Sequence, residues 1–519
     1  MARRLLPWLT PVAVLGALLA LLNLLSAYFE EPARHFQLGD TGSLQFVLNT
    51  NAAALTSAMS VLIALVLLTV QLTAQRYSFN VIDIFIHNRV NAALIGYFIL
   101  TITFNLWLAL VLKDKYTPTA GTILAMLMMT IGFALLPPYI IYLFDVLRPD
   151  HILNHLQNDF LKAIDFSERT ANLPRQRTAA AARVNQIGDI ARTAVNLSDS
   201  AVARHSVWVL YWSISRYVER KNKLPAGWFA VEEHHFRGRH ELIMREIEET
   251  MTWLERRMLE ELYEVFYATL NKMHDVNNTV ALVARLLGEK AVDQGDMGLL
   301  QTIVKFFNTY LRAAINLADQ RAGYHVLYQY RLLADAALEP YPEIGLQVAD
   351  RLSYYGDAAA GGPLLWMSLA AAYDLRILAE NCVNRRADRA ITTAIVHDLV
   401  ETLQRAEAKR SPALSQLYKP IAALGSFFMV HGEADFAHQL RARLNDVPEA
   451  TLEQISRELG AVEDPIFWEF TDRVVNFDYI EEDVRAALPA FLKPVERWPD
   501  PAAAAGRSVA PEARSPVSG

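Results

Sequence analysis

The first residues in this chain whose spacing suggests chemistry are histidines. His151 and His155 stand at i and i+4 with Asp150 beside them, so a helix would set both rings on one face, as in a two-histidine metal chelate. No third ligand accompanies them, and ordinary polar neighbours on a helix give the same spacing. A denser group, Glu232-Glu233-His234-His235 followed by His240-Glu241, lacks the His-Glu-x-x-His step that places two ligands and a base together. A solvated turn and helix start accounts for it equally well. Cys382 lies among Ile377, Leu378 and Val383, the setting of a core thiol rather than a nucleophile. The chain has no phosphate loop, no Gly-x-Ser-x-Gly and no dinucleotide fingerprint. No catalytic, cofactor or metal site is therefore expected, and the chain is read as not an enzyme.

Small and polar residues inside an apolar run are the other chemical signal. Ala53, Ser57, Ser60, Ala64, Leu67 and Gln71 recur at three-to-four spacing. Two readings stay open. The stripe is a helix-packing face with interhelical hydrogen bonds, or it is the wall of a water-filled path. Asn23 and Asn105, each in an apolar run, read as helix glue in the same sense.

The elements that position these residues are membrane spans, expected at about 5–29, 53–72, 92–112 and 119–144. Each reaches the ~20 residues a helix needs to cross the hydrocarbon core. The first run exceeds the ~7–15 apolar residues of a cleaved signal peptide, so it reads as an uncleaved anchor. No Asp, Glu, Lys, Arg or His falls inside the four spans, which argues against a proton relay or coupled pump and leaves a neutral pore open. Arg3, Arg4, Arg76, Arg89 and Arg148 fall on one side, and Arg34, Lys113 and Lys115 on the other, which places both termini in the cytoplasm. Glu30–Thr50 reads as a polar loop, and Pro137-Pro138 should kink the fourth span. Between the second and third spans, residues 78–90 suit an interfacial helix or a short connector. Ser78 would cap it, Asn80, Asp83 and His87 would share its polar face, and Arg89 lies at its end.

The run VLIALVLLTVQLTAQRYSFNVIDIFIHNRVNAALIGYFILT resembles the signature region of bacterial membrane proteins known as domain of unknown function 2254. The resemblance rests on Val70-Gln71-Leu72, Gln75-Arg76-Tyr77-Ser78, Phe85-Ile86-His87-Asn88-Arg89 and Gly96-Tyr97-Phe98, and is good over residues 53–112. Relatives of that type carry a β-rich segment after the fourth span and a Ser-Pro-x-x-Asn-Asp-Pro motif. Here no β-rich stretch follows, and Ala313-Ala314-Ile315-Asn316-Leu317 is the nearest counterpart of the motif. The resemblance implies a multi-pass protein of the bacterial inner membrane and brings no activity with it.

Hydrophobic residues make up 53% of the 519, against 20% charged, and the excess is concentrated in the first 145. The remainder is therefore read as a soluble region, and a single cysteine suits a reducing cytosol. A net charge of −7 gives no basic footprint for nucleic acid. From 149 to 498 apolar residues recur at three and four, as in Ile243, Ile247, Met251, Leu254, Met258, Leu262 and Phe266, so helices are expected almost throughout. Breaks are expected at Leu173-Pro174, Leu224–Gly227, Asp293–Gly298, Glu339–Glu343, Gly361–Pro363 and Ser411-Pro412. Leu424, Gly425, Phe428, Gly432, Ala437 and Pro448 follow a tetratricopeptide pattern, and Gly288, Gly323, Gly356 and Gly432 are spaced near that period.

The expected fold is all-α: a four-helix transmembrane module, then stacked helical hairpins over 149–498, then a disordered tail over 499–519. The expected partners are the lipid bilayer, a protein held by the helical stack, and further copies of the chain. Two functions fit: an anchored scaffold or sensor, and an ion channel or channel subunit whose second span lines the path.

Overall fold

A computed structural model of the chain describes residues 2–33, 40–76, 89–113, 118–146, 148–165, 172–230, 240–360, 364–468 and 473–494. Of the described residues 82% are helical and none forms a strand, as expected for an all-α chain. It divides into two compact units, Met1–Asp159 and Phe160–Gly519.

The first unit is built from long apolar helices. They are α1 (Ala2–Tyr28), the single turn α2 (Glu30–Ala33), α3 (Thr41–Arg76), α4 (Arg89–Val111) and α5 (Thr119–Val146), with α6 (Pro149–Ala163) running across the boundary. Three stretches are long and apolar enough to cross a membrane: Thr41–Gln71, Val90–Val111 and Thr119–Asp145. α1 adds the shorter apolar run Val14–Tyr28. Leu48, Phe104, Leu108 and Met128 form one apolar core and Leu55, Leu62, Phe98 and Tyr139 a second, with Asn51, Thr101, Asn105 and Thr122 buried as well.

The expected loop over Glu30–Thr50 is instead helical in part, because Asp40 accepts from Ser43 N and starts α3 at Thr41. Glu30 is buried, and its carboxylate accepts from Thr119 N at 3.0 Å and Ala120 N at 3.1 Å. A negative charge thus sits on the positive end of α5. α5 runs without interruption through Pro137-Pro138.

The second unit is a row of five helical hairpins. They pair α7 (Leu173–Asn196) with α8 (Ser200–Val218), and, after a short α9 (Glu241–Glu249), α10 (Trp253–Thr269) with α11 (His274–Gln294). Then α12 (Met297–Asn316) pairs with α13 (Gln320–Ala337), α14 (Pro342–Ala358) with α15 (Leu365–Asn384), and α16 (Arg389–Ala408) with α17 (Leu414–Val430). First helices pack on first helices and second on second: α7, α10, α12, α14 and α16 make one layer, and α8, α11, α13, α15 and α17 the other. α18 (Ala434–Ala442), α19 (Glu449–Gly460) and α20 (Glu482–Phe491) close the C-terminal end, with α20 packed on α17.

A recurring turn makes the row. At the ends of α7, α11, α12, α15 and α16 a backbone N–H reaches five residues back: Asp199 to Ala194, Asp296 to Ala291, Asp319 to Ala314, Ala387 to Cys382 and Ser411 to Ala406. The residue before each donor has a left-handed φ: Ser198, Gly295, Ala318, Arg386 and Arg410. This is the helix C-terminal motif that satisfies stranded carbonyls within three residues. Asp199, Asp296 and Asp319 then cap the next helix through Val202 N, Leu299 N and Ala322 N. Breaks expected at 173, 224–227, 293–298 and 339–343 are found, whereas Gly361–Pro363 lies outside the described residues. The apolar spacing runs on from Ile243 to Phe266, yet the stretch forms two helices, because Met251 takes φ 52° and Thr252 N reaches back to Ile247.

The repeat-like glycines serve helix contact. Gly288, Gly323 and Gly356 lie where Leu333, Met367 and Ala371 press against bare backbone, and Gly432 turns the chain at φ 78°. In the tetratricopeptide-like unit, Gly425 faces the Phe491 ring of α20, at which a Cβ would stand 2.1 Å from Cζ. The tail over 499–519 lies outside the described residues.

These contacts predict different outcomes for two alanine substitutions. Gly425→Ala meets a rigid ring on the closing helix and should destabilise by about 1–3 kcal/mol. At Gly323 the obstacle is the flexible end of Met367, so Gly323→Ala should lie within about 1 kcal/mol of wild type, helped by alanine's helix propensity. Helical circular dichroism melts in detergent check both.

Candidate functional site

Three elements of the second unit meet at a buried charge cluster. After α8 the chain forms two 3₁₀ turns, Lys221–Lys223 and Ala226–Trp228, and the first buries the Lys221 stem. Lys221 Nζ lies 2.7 Å from Glu255 Oε1 on α10 and 2.6 Å from Asp296 Oδ2 at the α11–α12 turn. Glu255 is fully buried, and its other oxygen has no hydrogen-bond partner among the described residues. Burial pushes the Glu255 carboxyl above its ordinary range and Lys221 only partly offsets this. For Lys221 burial pulls down while Glu255 and Asp296 pull up, and the balance is upward. The lysine is therefore held charged and is not a nucleophile.

Above the cluster opens a cleft of about 680 Å³. Lys221 and Asp296 form its polar floor, and Leu224, Phe229, Met251 and Met297 its apolar rim. No nucleophile is paired with a base there. A second cavity of about 570 Å³ lies at the other ends of the hairpins, lined by Ser198, Ser200, Lys272, His274 and Arg321 among others.

The residues singled out in the sequence are placed as follows. Ser57, Ser60, Ala64 and Gln71, with Ala53 and Leu67, all face outward from α3. The Ser57 hydroxyl donates to Ala53 O at 3.1 Å and Ser60 to Thr56 O at 2.9 Å, so neither bonds a neighbouring helix. Asn23 and Asn105 likewise donate to carbonyls of their own helices, Leu19 and Thr101. Asn80, Asp83 and His87 lie outside the described residues, and Arg89 opens α4.

His151 and His155 do not share a ligand set: His151 Nε2 is 3.2 Å from Asp145, and His155 Nε2 is 3.5 Å from Asp159. Residues 232–235 lie outside the described residues, while His240 caps α9 by accepting from Leu242 N at 3.2 Å. Cys382 is buried, and its thiol is pushed up to about 11, chiefly by burial and then by Asp335.

Among the described residues one further group brings ligand atoms together: His397, Asp398 and Glu401 on α16, within 4.8 Å of one another. Glu401 already accepts from Arg405 at 2.6 Å, and His397 is exposed. Burial and the neighbouring Asp350 raise Asp398 from 3.8 to about 6. Sequence reading missed both this group and the Lys221 cluster. Lys221 and Asp296 are 75 residues apart, and only their helix-end positions hint at proximity.

The family described as predicted membrane protein (DUF2254) matches residues 4–203, which bears out the resemblance seen over 53–112. The matched region ends just inside α8. No curated protein matches the chain. One solved chain, described as a circular tandem repeat protein with novel repeat topology and enhanced subunit contact surfaces, is similar over 80% of this chain and 96% of its own, at 13% identity and a TM-score of 0.36.

Three outcomes are expected from this geometry. Lys221→Met strands Glu255 and Asp296 and should cost about 3–5 kcal/mol, whereas adding Glu255→Leu should recover part of the loss in the same melt. Asp398 binds its proton more tightly folded than unfolded, so its destabilising charge grows as pH rises from about 4 to 6 and is full above that. Asp398→Asn should therefore stabilise at pH 8 by on the order of 1–2 kcal/mol and make little difference at pH 4. Cys382 should stay unreactive toward an aromatic disulfide reagent at pH 8 until denaturant is added.

Proposed function

We propose that the protein is a non-enzymatic, multi-pass inner-membrane protein with four spans and both termini in the cytoplasm. Its helical unit serves as a scaffold or sensor that holds a protein partner. The observation that carries this reading is the methionine-rimmed cleft over Lys221 and Asp296. Met251 stands exposed at its mouth on a strained left-handed backbone, a conformation that persists where surroundings or function demand it. Membrane residence is supported by the matched family and the three apolar helices.

Photocrosslinking in the native host tests the cleft. A benzoylphenylalanine at Met297 should give a discrete heavier adduct that is lost with Asp296→Lys. An adduct no stronger than that from the exposed control site Trp366 would sink the partner-binding reading.

The outward stripe on α3 supports a second reading, an ion channel or channel subunit. Ser57, Ser60, Ala64 and Gln71 face away from the packed interior of the first unit, so they would line a path only where several copies bring their α3 helices together. Planar-bilayer recording of purified protein under voltage and tension should then show unitary currents that change with Gln71→Leu. Silence from inserted, folded protein would remove this reading.

A further inference from the structure

After α19 the chain doubles back across the second-helix layer. Arg473 is fully buried beneath it, with a guanidinium that donates to Asp374 Oδ1 at 2.8 Å, Asp374 Oδ2 at 3.1 Å and Tyr324 O at 2.7 Å. The Tyr324, Tyr328 and Phe477 rings stand 4.3, 5.2 and 5.4 Å from its carbon. Four residues on, Phe477 stacks on Tyr373 at 4.1 Å, and Arg376 donates to Phe477 O and Tyr479 O. The receiving side chains all come from α13 and α15, about 100–150 residues upstream in the chain.

Two features separate this arrangement from ordinary core. Asp374 also has Arg331 Nε at 3.2 Å, an arginine it shares with Asp335, so removing Arg473 leaves one cation beside it. The inserted segment is also poorly suited to its own conformation: Val474, β-branched, takes φ 60°. Its outer surface shows Ile466, Trp468, Val474 and Val475 to solvent, with Trp468 78% exposed, an apolar handle on a segment that pairs with itself through Phe467 N to Val474 O and is further held by Lys419 on Asp478.

We propose that the groove over α13 and α15 is a recognition site for a peptide carrying an arginine and, four residues later, an aromatic ring. The chain's own residues 473–479 fill it in cis. The guanidinium takes the bidentate carboxylate and the ring cage, and the aromatic takes the Tyr373 face. A tether of this kind supplies an effective concentration in the millimolar range, so the site is closed to weaker peptides until the segment is drawn out. The inference is independent of the cleft over Lys221.

The test uses full-length protein in detergent and a fluorescein-labelled peptide of residues 462–481. Arg473→Ala/Phe477→Ala empties the groove, and this variant should bind the peptide at least about tenfold more tightly than wild type does. The same peptide with alanine in place of its arginine should lose about tenfold or more. A folded variant that does not bind, or that binds both peptides equally, overturns the proposal, as does a wild type that binds as well as the variant. Should the variant lose its helical melt, hydrogen exchange on wild type decides. Amides of 473–480 exchanging about 100-fold or more faster than those of α13 and α15 support a releasable segment, and equal protection makes it core and overturns it.

Discussion

The helical unit depends on one backbone bond, the reach of an N–H to the carbonyl five residues behind it. A helix end leaves carbonyls without partners, and a hairpin turn of three residues has no length in which water could solvate them all. Reversing the chain through a single left-handed residue closes that bond and aims the next helix back along the first. This move closes three of the five hairpins, at Ser198, Ala318 and Arg410, and at Gly295 and Arg386 it links one hairpin to the next. Most of these are not glycine, so each reversal carries local backbone strain that only the packing on either side can hold. The aspartate that follows three of them relieves part of it by capping the next helix.

Buried ions act on a second level, joining elements that the repeating turn does not. Lys221 ties the end of one hairpin to the helix and turn of the next, and Arg473 ties the C-terminal segment to two helices far upstream. The two differ in what their removal leaves behind. Lys221 is the counter-ion of a sealed carboxylate, so it belongs to the architecture. Arg473 shares its carboxylate with Arg331, which also serves Asp335. That contrast separates a structural staple from a ligand, although both look like buried salt bridges.

Much of the architecture was legible in the sequence because it rests on composition. Apolar runs of span length became helices, and breaks marked by proline or glycine became helix boundaries, a helix start at Leu173-Pro174 and a turn at Gly295. What failed to show were the turns at Ser198, Ala318 and Arg386, since these residue types do not announce a left-handed conformation, whereas the turn at Arg410 was marked by Ser411-Pro412. A subtler signal was present: Ala194-Val195-Asn196-Leu197-Ser198-Asp199 and Ala314-Ile315-Asn316-Leu317-Ala318-Asp319 are near copies and build the same turn. The early start of α3 was missed because Asp40 read as a turn residue when it is a cap. Neither the Lys221 cleft nor the Arg473 groove was legible, for their members are scattered and periodicity carries no information about which charge meets which. The serine stripe was visible, but its direction depends on packing, and it faces out.

A row of hairpins that touch only their neighbours behaves as a one-dimensional chain, free to fray from its ends one repeat at a time. The segment carrying Arg473 breaks that rule, since it begins beyond the last hairpin and lands on the third and fourth. While it is seated, the C-terminal half of the row is closed into a loop and must unfold as one cooperative block. When it is unseated, the same hairpins regain independent ends. A contact made by a handful of side chains therefore governs whether this half of the protein responds to load or heat as a single body or as a string of separable units.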